Sequence, residues 1–160
     1  MAFRHQRHRA YLCLVDDAIV ALEISMNPSA LALTGFAAWT LLLVVSIGLY
    51  RAYFVFSGQR TPNQFDPSGA GLTPLALRLS RAHANCYENL PIFGALIAVA
   101  LVTGRQGLTD PLAMWFLYLR LGQSVVHIAS TSNIAVNLRF ALFLGQVAIM
   151  AVMAWRLIML

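Results

Sequence analysis

The composition of this 160-residue chain excludes a water-soluble fold. Residues of the hydrophobic class make up 59% of the positions and charged residues only 11%, against roughly 25% charged residues in soluble domains. The net charge of +5 comes from eleven basic residues, all arginine, and no basic run is interleaved with aromatic residues beyond Arg9, so a nucleic-acid partner is not expected. The two cysteines, Cys13 and Cys86, have no metal-ligand spacing, so neither a metal site nor a disulfide framework is predicted.

The first 25 residues differ in character from the rest of the chain. They carry three arginines and then an apolar run that three acidic residues interrupt, which would spoil the hydrophobic core of a signal peptide. Met26 stands immediately before the first predicted helix. We therefore interpret residues 1–25 as an extension, either a stretch before the true start or a short amphipathic element, and residues 26–160 as a four-helix membrane domain.

Three apolar stretches begin with a capping residue followed by proline: Asn27-Pro28, Thr73-Pro74 and Asp110-Pro111. Proline lacks an N–H that the first helical turn would leave unbonded anyway, and the side chain before it accepts a hydrogen bond from that turn. A fourth stretch follows Thr131-Ser132-Asn133, and Gly58 and Gly104 stand where the first two end. The sequence predicts an all-α membrane protein, a four-helix transmembrane bundle with helices over 28–57, 74–103, 111–130 and 134–158.

The alternating direction of these helices decides which polar residues can meet. The first and third helices end on the side where the second and fourth begin; we call that side B and the opposite one side A. Side B has Arg51, Arg60, Arg78, Arg81 and Arg139, whereas side A has Arg105 and Arg156 besides the N-terminal segment. The positive-inside rule predicts that side B is cytoplasmic. The chain is expected to be an integral multi-pass protein, of the inner or plasma membrane if it is bacterial, as an all-arginine basic set typical of a GC-rich genome suggests.

Polar residues recur at helical spacing within the predicted membrane spans. On the second helix Arg81, Asn85 and Glu88 are four and three residues apart, which puts them on one face. The third helix carries a similar set at spacings of three and four, and the fourth adds an arginine and, two turns on along the same face, a glutamine. These residues are Arg120, Gln123, His127, Arg139 and Gln146. Because a charge in the hydrocarbon costs at least about 2.5–3.5 kcal/mol on insertion scales, we expect these faces to point at one another.

Two readings need no ligand. Arg51 and Arg78 lie close enough to a helix end to extend their side chains to the headgroups, and Glu88 can pair with Arg81 or Arg120 in a structural ion-pair network. Neither reading accounts for the excess of positive charge, since five arginines inside the predicted helices face one glutamate. A small anionic ligand would balance that excess, and arginine suits bidentate carboxylate binding.

The segment from Arg81 to Phe93, RAHANCYENLPIF, resembles the signature of the MAPEG family, the membrane-associated proteins in eicosanoid and glutathione metabolism. The likeness extends over about residues 28–158 and includes the four-helix count and the Ser57-Gly58-Gln59-Arg60 exit from the first helix. It implies a homotrimer in the lipid bilayer that binds glutathione between subunits, on the cytoplasmic side, and takes a lipophilic small molecule as second substrate.

The resemblance also implies roles for individual residues. Arg81, Asn85 and Glu88 would hold the glutathione backbone, with Glu88 suited to its ammonium, and Arg51 or Arg60 would meet a carboxylate. The third-helix positions that resemble binding residues of relatives are Arg120, Gln123 and His127. Arg139 resembles the catalytic arginine near the thiol, where a cation would stabilise the nucleophilic thiolate.

The sequence also departs from the prostaglandin-synthesising member of the family. That member has Arg, His and Tyr where this chain has Ala84, Gln123 and His127, and it has hydroxyl residues where this chain has Phe140 and Phe143. Prostaglandin synthesis is therefore not implied, and His127 is either a proton donor or acceptor or a structural histidine.

Three functional hypotheses follow. The first is a glutathione transferase, with peroxidase activity as a further possibility, acting on lipophilic electrophiles. The second is a non-catalytic lipid-binding or scaffold member of the same family. The third, a small proton-coupled transporter, would call for repeats or broken helices, and no repeat relates residues 28–103 to 111–158.

Overall fold

The computed structural model describes residues 27–159, so the predicted N-terminal extension lies outside the described residues. Four long helices account for most of this range, with two short 3₁₀ turns at Pro62–Gln64 and Gln106–Leu108 and no strand among the described residues. The helices are α1 Pro28–Phe56, α2 Pro74–Val102, α3 Asp110–Ala129 and α4 Asn133–Met159. All four are long and apolar enough to cross a membrane. The predicted four-helix membrane fold is confirmed, with every helix boundary within one residue of its predicted position.

Two of the three predicted helix starts have the expected cap. The Asn27 side chain accepts a hydrogen bond from the backbone N–H of Ala30 at 2.7 Å, and the Thr73 hydroxyl accepts one from Ala76 at 3.1 Å. The prediction that Asp110 caps the third helix was wrong. Asp110 is the first residue of α3, and its carboxylate instead accepts a hydrogen bond from the backbone N–H of Ser29 at 3.0 Å.

Glycine closes α1 and α2 as predicted. Gly58 and Gly104 have φ angles of 70° and 68°, a left-handed conformation that side chains with a Cβ rarely adopt. In each case the residue after the glycine donates its backbone N–H to a carbonyl five residues back, to Phe54 from Gln59 and to Ala100 from Arg105. These bonds satisfy carbonyls that the last helical turn leaves free.

Aromatic side chains from three helices form the centre of the bundle. Phe36 of α1, Phe93 of α2 and Phe116 of α3 have no exposed surface, and the rings of Phe93 and Phe116 stack with their centroids 3.9 Å apart. The ring centroid of Phe36 lies 6.1 Å from that of Phe93 and 5.5 Å from that of Phe116. Large apolar side chains such as Leu49 point outward and are well exposed on the isolated chain, as expected for surfaces that face lipid or another subunit.

Hydrogen bonds tie α1 to α3 at side A. The hydroxyls of Ser29 and Thr109, both fully buried, lie 2.7 Å apart, next to the bond from Ser29 to Asp110. Because these residues stand at the beginnings of α1 and α3, the two helices start on the same side of the bundle. The alternating helix direction predicted from the sequence is therefore confirmed.

The connection between α1 and α2, residues 57–73, folds back against the bundle at side B. Arg51 donates to the backbone carbonyls of Asp66 and Pro67 at 2.9 and 3.3 Å. The carboxylate of Asp66 accepts hydrogen bonds from the hydroxyl and the backbone N–H of Ser68, and these bonds lower the pKa of Asp66 below its ordinary value. Gly69 is buried against α2. The connection is therefore held by hydrogen bonds from Arg51 and by the packing of Gly69 on α2.

Candidate functional site

A polar groove opens on the side-B half of the bundle, where α2, α3 and α4 meet. Its volume is about 300 Å³, and it is lined by Asn85, Glu88, Gln123, His127, Arg139, Phe140 and Phe143. Five of the nine residues predicted for the site therefore lie around one cavity. The two phenylalanines give the groove an apolar wall next to its charged one.

Arg139 and Glu88 bring opposite charges to the groove. Glu88 is exposed on the isolated protomer and Arg139 is half-buried. The guanidinium of Arg139 contacts the ring of His127, with Nη1 and Nδ1 3.1 Å apart. That contact crosses from α4 to α3 and limits the directions in which Arg139 can extend.

A network of buried side chains lies behind the groove and holds its wall in position. Gln123 accepts hydrogen bonds at Oε1 from Arg120 Nη1 at 2.9 Å and from Gln146 Nε2 at 3.1 Å. Its own Nε2 donates to the backbone carbonyl of Arg139 at 3.1 Å. Gln123 thus joins α3 to α4 at two points, one of them the backbone of the residue predicted to be catalytic.

Arg120 does not line the groove. Its side chain has no exposed surface, and its Nε and Nη2 atoms have no hydrogen-bond partner within the described part of the chain. The guanidinium carbon lies 5.5 Å from the centre of the Phe36 ring, a cation–π distance. Arg120 acts on the groove through Gln123, and a ligand there would not touch it in this arrangement of side chains.

Cys86 lies in the hydrophobic core, as expected for a packing residue. It is fully buried, belongs to the same apolar cluster as Phe36 and Phe93, and its sulfur lies 3.5 Å from the hydroxyl of Ser124. It does not line the groove.

Two further predicted residues line a second cavity, between α1, α2 and the 57–73 connection. This cavity has a volume of about 380 Å³ and includes Arg51, Arg81, Ser68, Ser80, His83 and Tyr87 in its lining. The side chain of Arg81 therefore lines a different cavity from Asn85 and Glu88, although the spacing of the three residues puts them on one face of α2. Its backbone carbonyl still accepts a hydrogen bond from the Asn85 amide at 2.9 Å.

Arg60 joins neither cavity. It is exposed, and its Nη2 atom donates to the carbonyl of Gly71 at 3.0 Å, so it fastens the two ends of the loop to each other. Of the nine predicted residues, the structure thus brings five to the groove and two to the second cavity, buries Arg120 behind the groove and leaves Arg60 in the loop.

Gln146 was placed on the polar face of the fourth helix by its spacing but was not among the predicted site residues. It is fully buried and contacts Gln123, and it lies on α4 two turns beyond Arg139, on the same face. That spacing was the available signal. A fully buried amide inside a membrane helix needs a partner, and Gln123 provides it.

The fold and the site together define a polytopic membrane protein of four helices that collects charged and amide side chains in one half of an otherwise apolar bundle. A family model described as the MAPEG family matches residues 29–159, and the chain belongs to that family. Membership makes it an integral membrane protein of a family of glutathione-related transferase and peroxidase type. Neither a curated protein nor a solved structure matches the chain.

Proposed function

We propose that this protein is a membrane-bound glutathione transferase for lipophilic electrophiles, with glutathione bound in the polar groove. The observation that carries the proposal is the composition of the groove: a guanidinium, a carboxylate and two carboxamides stand around one cavity, with aromatic side chains beside them. Reduction of lipophilic hydroperoxides by the same thiol is a second reaction open to such a site.

The groove has groups that match glutathione in charge and in hydrogen bonding. Glutathione carries two carboxylates, one ammonium and a thiol. Glu88 provides a carboxylate for the ammonium, the amides of Asn85 and Gln123 suit its peptide groups, and Arg139 supplies positive charge. The unpartnered N–H groups of Arg120 behind Gln123 leave the wall more positive than the groove lining alone.

When bound, glutathione would supply a thiolate nucleophile. Arg139 would favour the thiolate over the thiol, because a neighbouring cation stabilises the charged form of sulfur. The contact with His127 keeps the guanidinium at the groove wall, and the bond from Gln123 holds the backbone beneath it. Phe140 and Phe143 offer an apolar surface to the second substrate.

A homotrimer with the site at its subunit interface would complete the groove. Glu88, Arg81 and Phe140 are exposed on the single protomer, Phe140 with 61% of its surface. A charged groove facing lipid would be costly, so a neighbouring subunit is the expected cover. Arg51 and Arg81 line a separate cavity, and Arg81 is exposed, so that in a trimer this cavity would meet the groove of the next protomer.

The decisive experiment is conjugation of glutathione to 1-chloro-2,4-dinitrobenzene by the purified protein and by three arginine variants. Arg139→Ala should lower kcat by roughly 10- to 100-fold, the value of one lost hydrogen bond to a charged group. Arg81→Ala should raise the KM for glutathione. Arg105→Ala is the matched control, because Arg105 lies at side A and its guanidinium bonds, among the described residues, to the carbonyl of Leu157. The activity of this variant should equal that of the wild type.

One observation favours a second candidate function, a lipid-binding member without turnover. Phe140 and Phe143 present no hydroxyl to the groove. If the wild-type protein neither conjugates the electrophile nor gains thermal stability with glutathione, the non-catalytic function is the correct one.

A further inference from the structure

The contact between Arg139 and His127 fixes the protonation state of the histidine. Arg139 Nη1 lies 3.1 Å from His127 Nδ1. A guanidinium has donors only and stays protonated, so Nδ1 must be the acceptor of this hydrogen bond. An imidazole with an acceptor nitrogen is neutral, and its single proton then resides on Nε2.

The Nε2–H group of His127 is available to a molecule in the groove. His127 lines the cavity, and its Nε2 atom is neither bonded to a described residue nor sealed from the surface. The amides of Asn85 and Gln123 each have one of their two N–H groups bonded to a backbone carbonyl, which restricts where the second can point. The two aromatic side chains of the groove bring no donor, so His127 is the neutral donor whose N–H no described residue holds.

Charged groups of both signs lie around the ring. Arg139 contacts it from α4 and Arg81 adds a second positive charge from α2, whereas Glu88 of α2 brings a carboxylate to the same groove. A second proton on the ring would break the bond to Arg139 and put two cations side by side. The groove therefore combines one fixed cation with one neutral, directed N–H group.

We propose that His127 is a neutral hydrogen-bond donor for oxygen atoms that become negative during the reaction, and that it favours electrophiles to which the thiol adds without loss of a leaving group. The class indicated is the α,β-unsaturated carbonyl compounds. This inference rests on the proposed transferase function and deepens it by naming the substrate class.

The chemistry explains the preference. In addition to an enone, the sulfur forms a bond to the β-carbon, the π electrons of the alkene shift toward the carbonyl, and the oxygen becomes negative. The Nε2–H group donates a hydrogen bond to that oxygen and keeps its own proton, as a neutral imidazole does when it polarises a carbonyl. The α-carbon then takes a proton from water, which replaces the one that the thiol lost to solvent. In displacement of an alkyl halide the charge departs on the halide, so the donor has nothing to stabilise.

Two substrates of similar size test this division, 4-phenyl-3-buten-2-one for addition and benzyl chloride for displacement. His127→Phe also removes the contact that holds Arg139, which should slow both conjugations by the same factor. The missing donor should lower kcat/KM for the enone on the order of 10²-fold further than for benzyl chloride, the loss typical for one oxyanion donor. His127→Gln keeps an N–H donor and should retain part of the enone activity. An unchanged glutathione-induced thermal shift in each variant shows that the site is intact.

A second measurement needs no glutathione. Heteronuclear NMR of the histidine rings, with the His127 signal assigned by its absence in His127→Phe, should show the neutral Nε2–H tautomer at pH 7.5, and Arg139→Gln should release that preference. An imidazolium or an Nδ1–H tautomer in the wild type overturns the inference, as does an equal loss on both substrates. Equal loss leaves the transferase function standing, whereas a wild-type protein that conjugates neither compound refutes both.

Discussion

Gly69 offers a quantitative test of how the 57–73 connection is held against the bundle. Its φ angle is +81°, and a Cβ atom there would lie 2.7 Å from the backbone oxygen of Ala76 and 2.7 Å from the hydroxyl of Ser80. Gly71 has a similar φ of +75°, yet a Cβ there would meet nothing within 4 Å. The pair therefore separates the backbone cost of a positive φ from the cost of the contact with α2.

The expected losses follow from these two geometries. Alanine in a left-handed conformation costs about 1–2 kcal/mol, and overpacking against backbone typically adds about 1–3 kcal/mol. Gly71→Ala should thus lower the free energy of unfolding by the first amount, and Gly69→Ala by the sum, roughly 2–5 kcal/mol. Gly69→Ala should also expose residues 66–69 to protease, since the loop can no longer rest on the first turns of α2.

The assay is equilibrium unfolding of both variants in the same detergent micelles. Thermal unfolding provides a check, because each kcal/mol of lost stability should lower the midpoint temperature by about 2–4 °C for a chain of this size. The reasoning fails if the two variants lose equal stability. That result would mean that Gly69 does not pack on Ala76 and Ser80 as described.

Two further predictions concern side A and the loop. Ser29→Ala removes a buried hydrogen bond to Thr109 and should lower the free energy of unfolding by about 1–2 kcal/mol in the same assay. The control is Ser46→Ala, whose exposed hydroxyl bonds to a carbonyl within α1; it should change stability by less than about 0.5 kcal/mol. Similar losses in the two variants would argue against the tie between α1 and α3. Because the pKa of Asp66 is lowered on folding, the bonds from Ser68 should stabilise the loop at neutral pH and be lost as the pH falls below about 4. Hydrogen exchange at the Ser68 amide should rise over that range in the wild type but not in Asp66→Asn, and identical profiles would assign the effect to another group.

The helix boundaries could be predicted because local chemistry decides them. A side-chain cap, a proline with no N–H to lose and a glycine that accepts a positive φ all act within one turn of the chain. Asn27, Thr73, Gly58 and Gly104 behave as this chemistry requires. Asp110 does not, because the backbone N–H of Ser29 competes for its carboxylate, and that partner is 81 residues away in the sequence.

The side-chain directions at the site were only partly predictable. Helical spacing shows which residues share a face, but packing sets the rotation of that face. On α3 the stacking of Phe116 on Phe93 turns Arg120 into the interior while His127, two turns later, reaches the groove. On α2 Arg81 shares a face with Asn85 and Glu88, yet its side chain lines the cavity next to α1 and not the groove.

The sealed guanidinium of Arg120 has a consequence for biogenesis. α3 is the shortest and least apolar of the four spans, and an arginine near its centre costs about 2.5–3.5 kcal/mol when such a segment leaves the translocon alone. The amide that accepts a hydrogen bond from this arginine, Gln123, is on α3 itself and is bonded in turn to Gln146 of α4, and only three residues separate the two helices. Partition of α3 and α4 into lipid as one hairpin, after the ribosome has delivered both, is the route that avoids exposing the arginine to acyl chains.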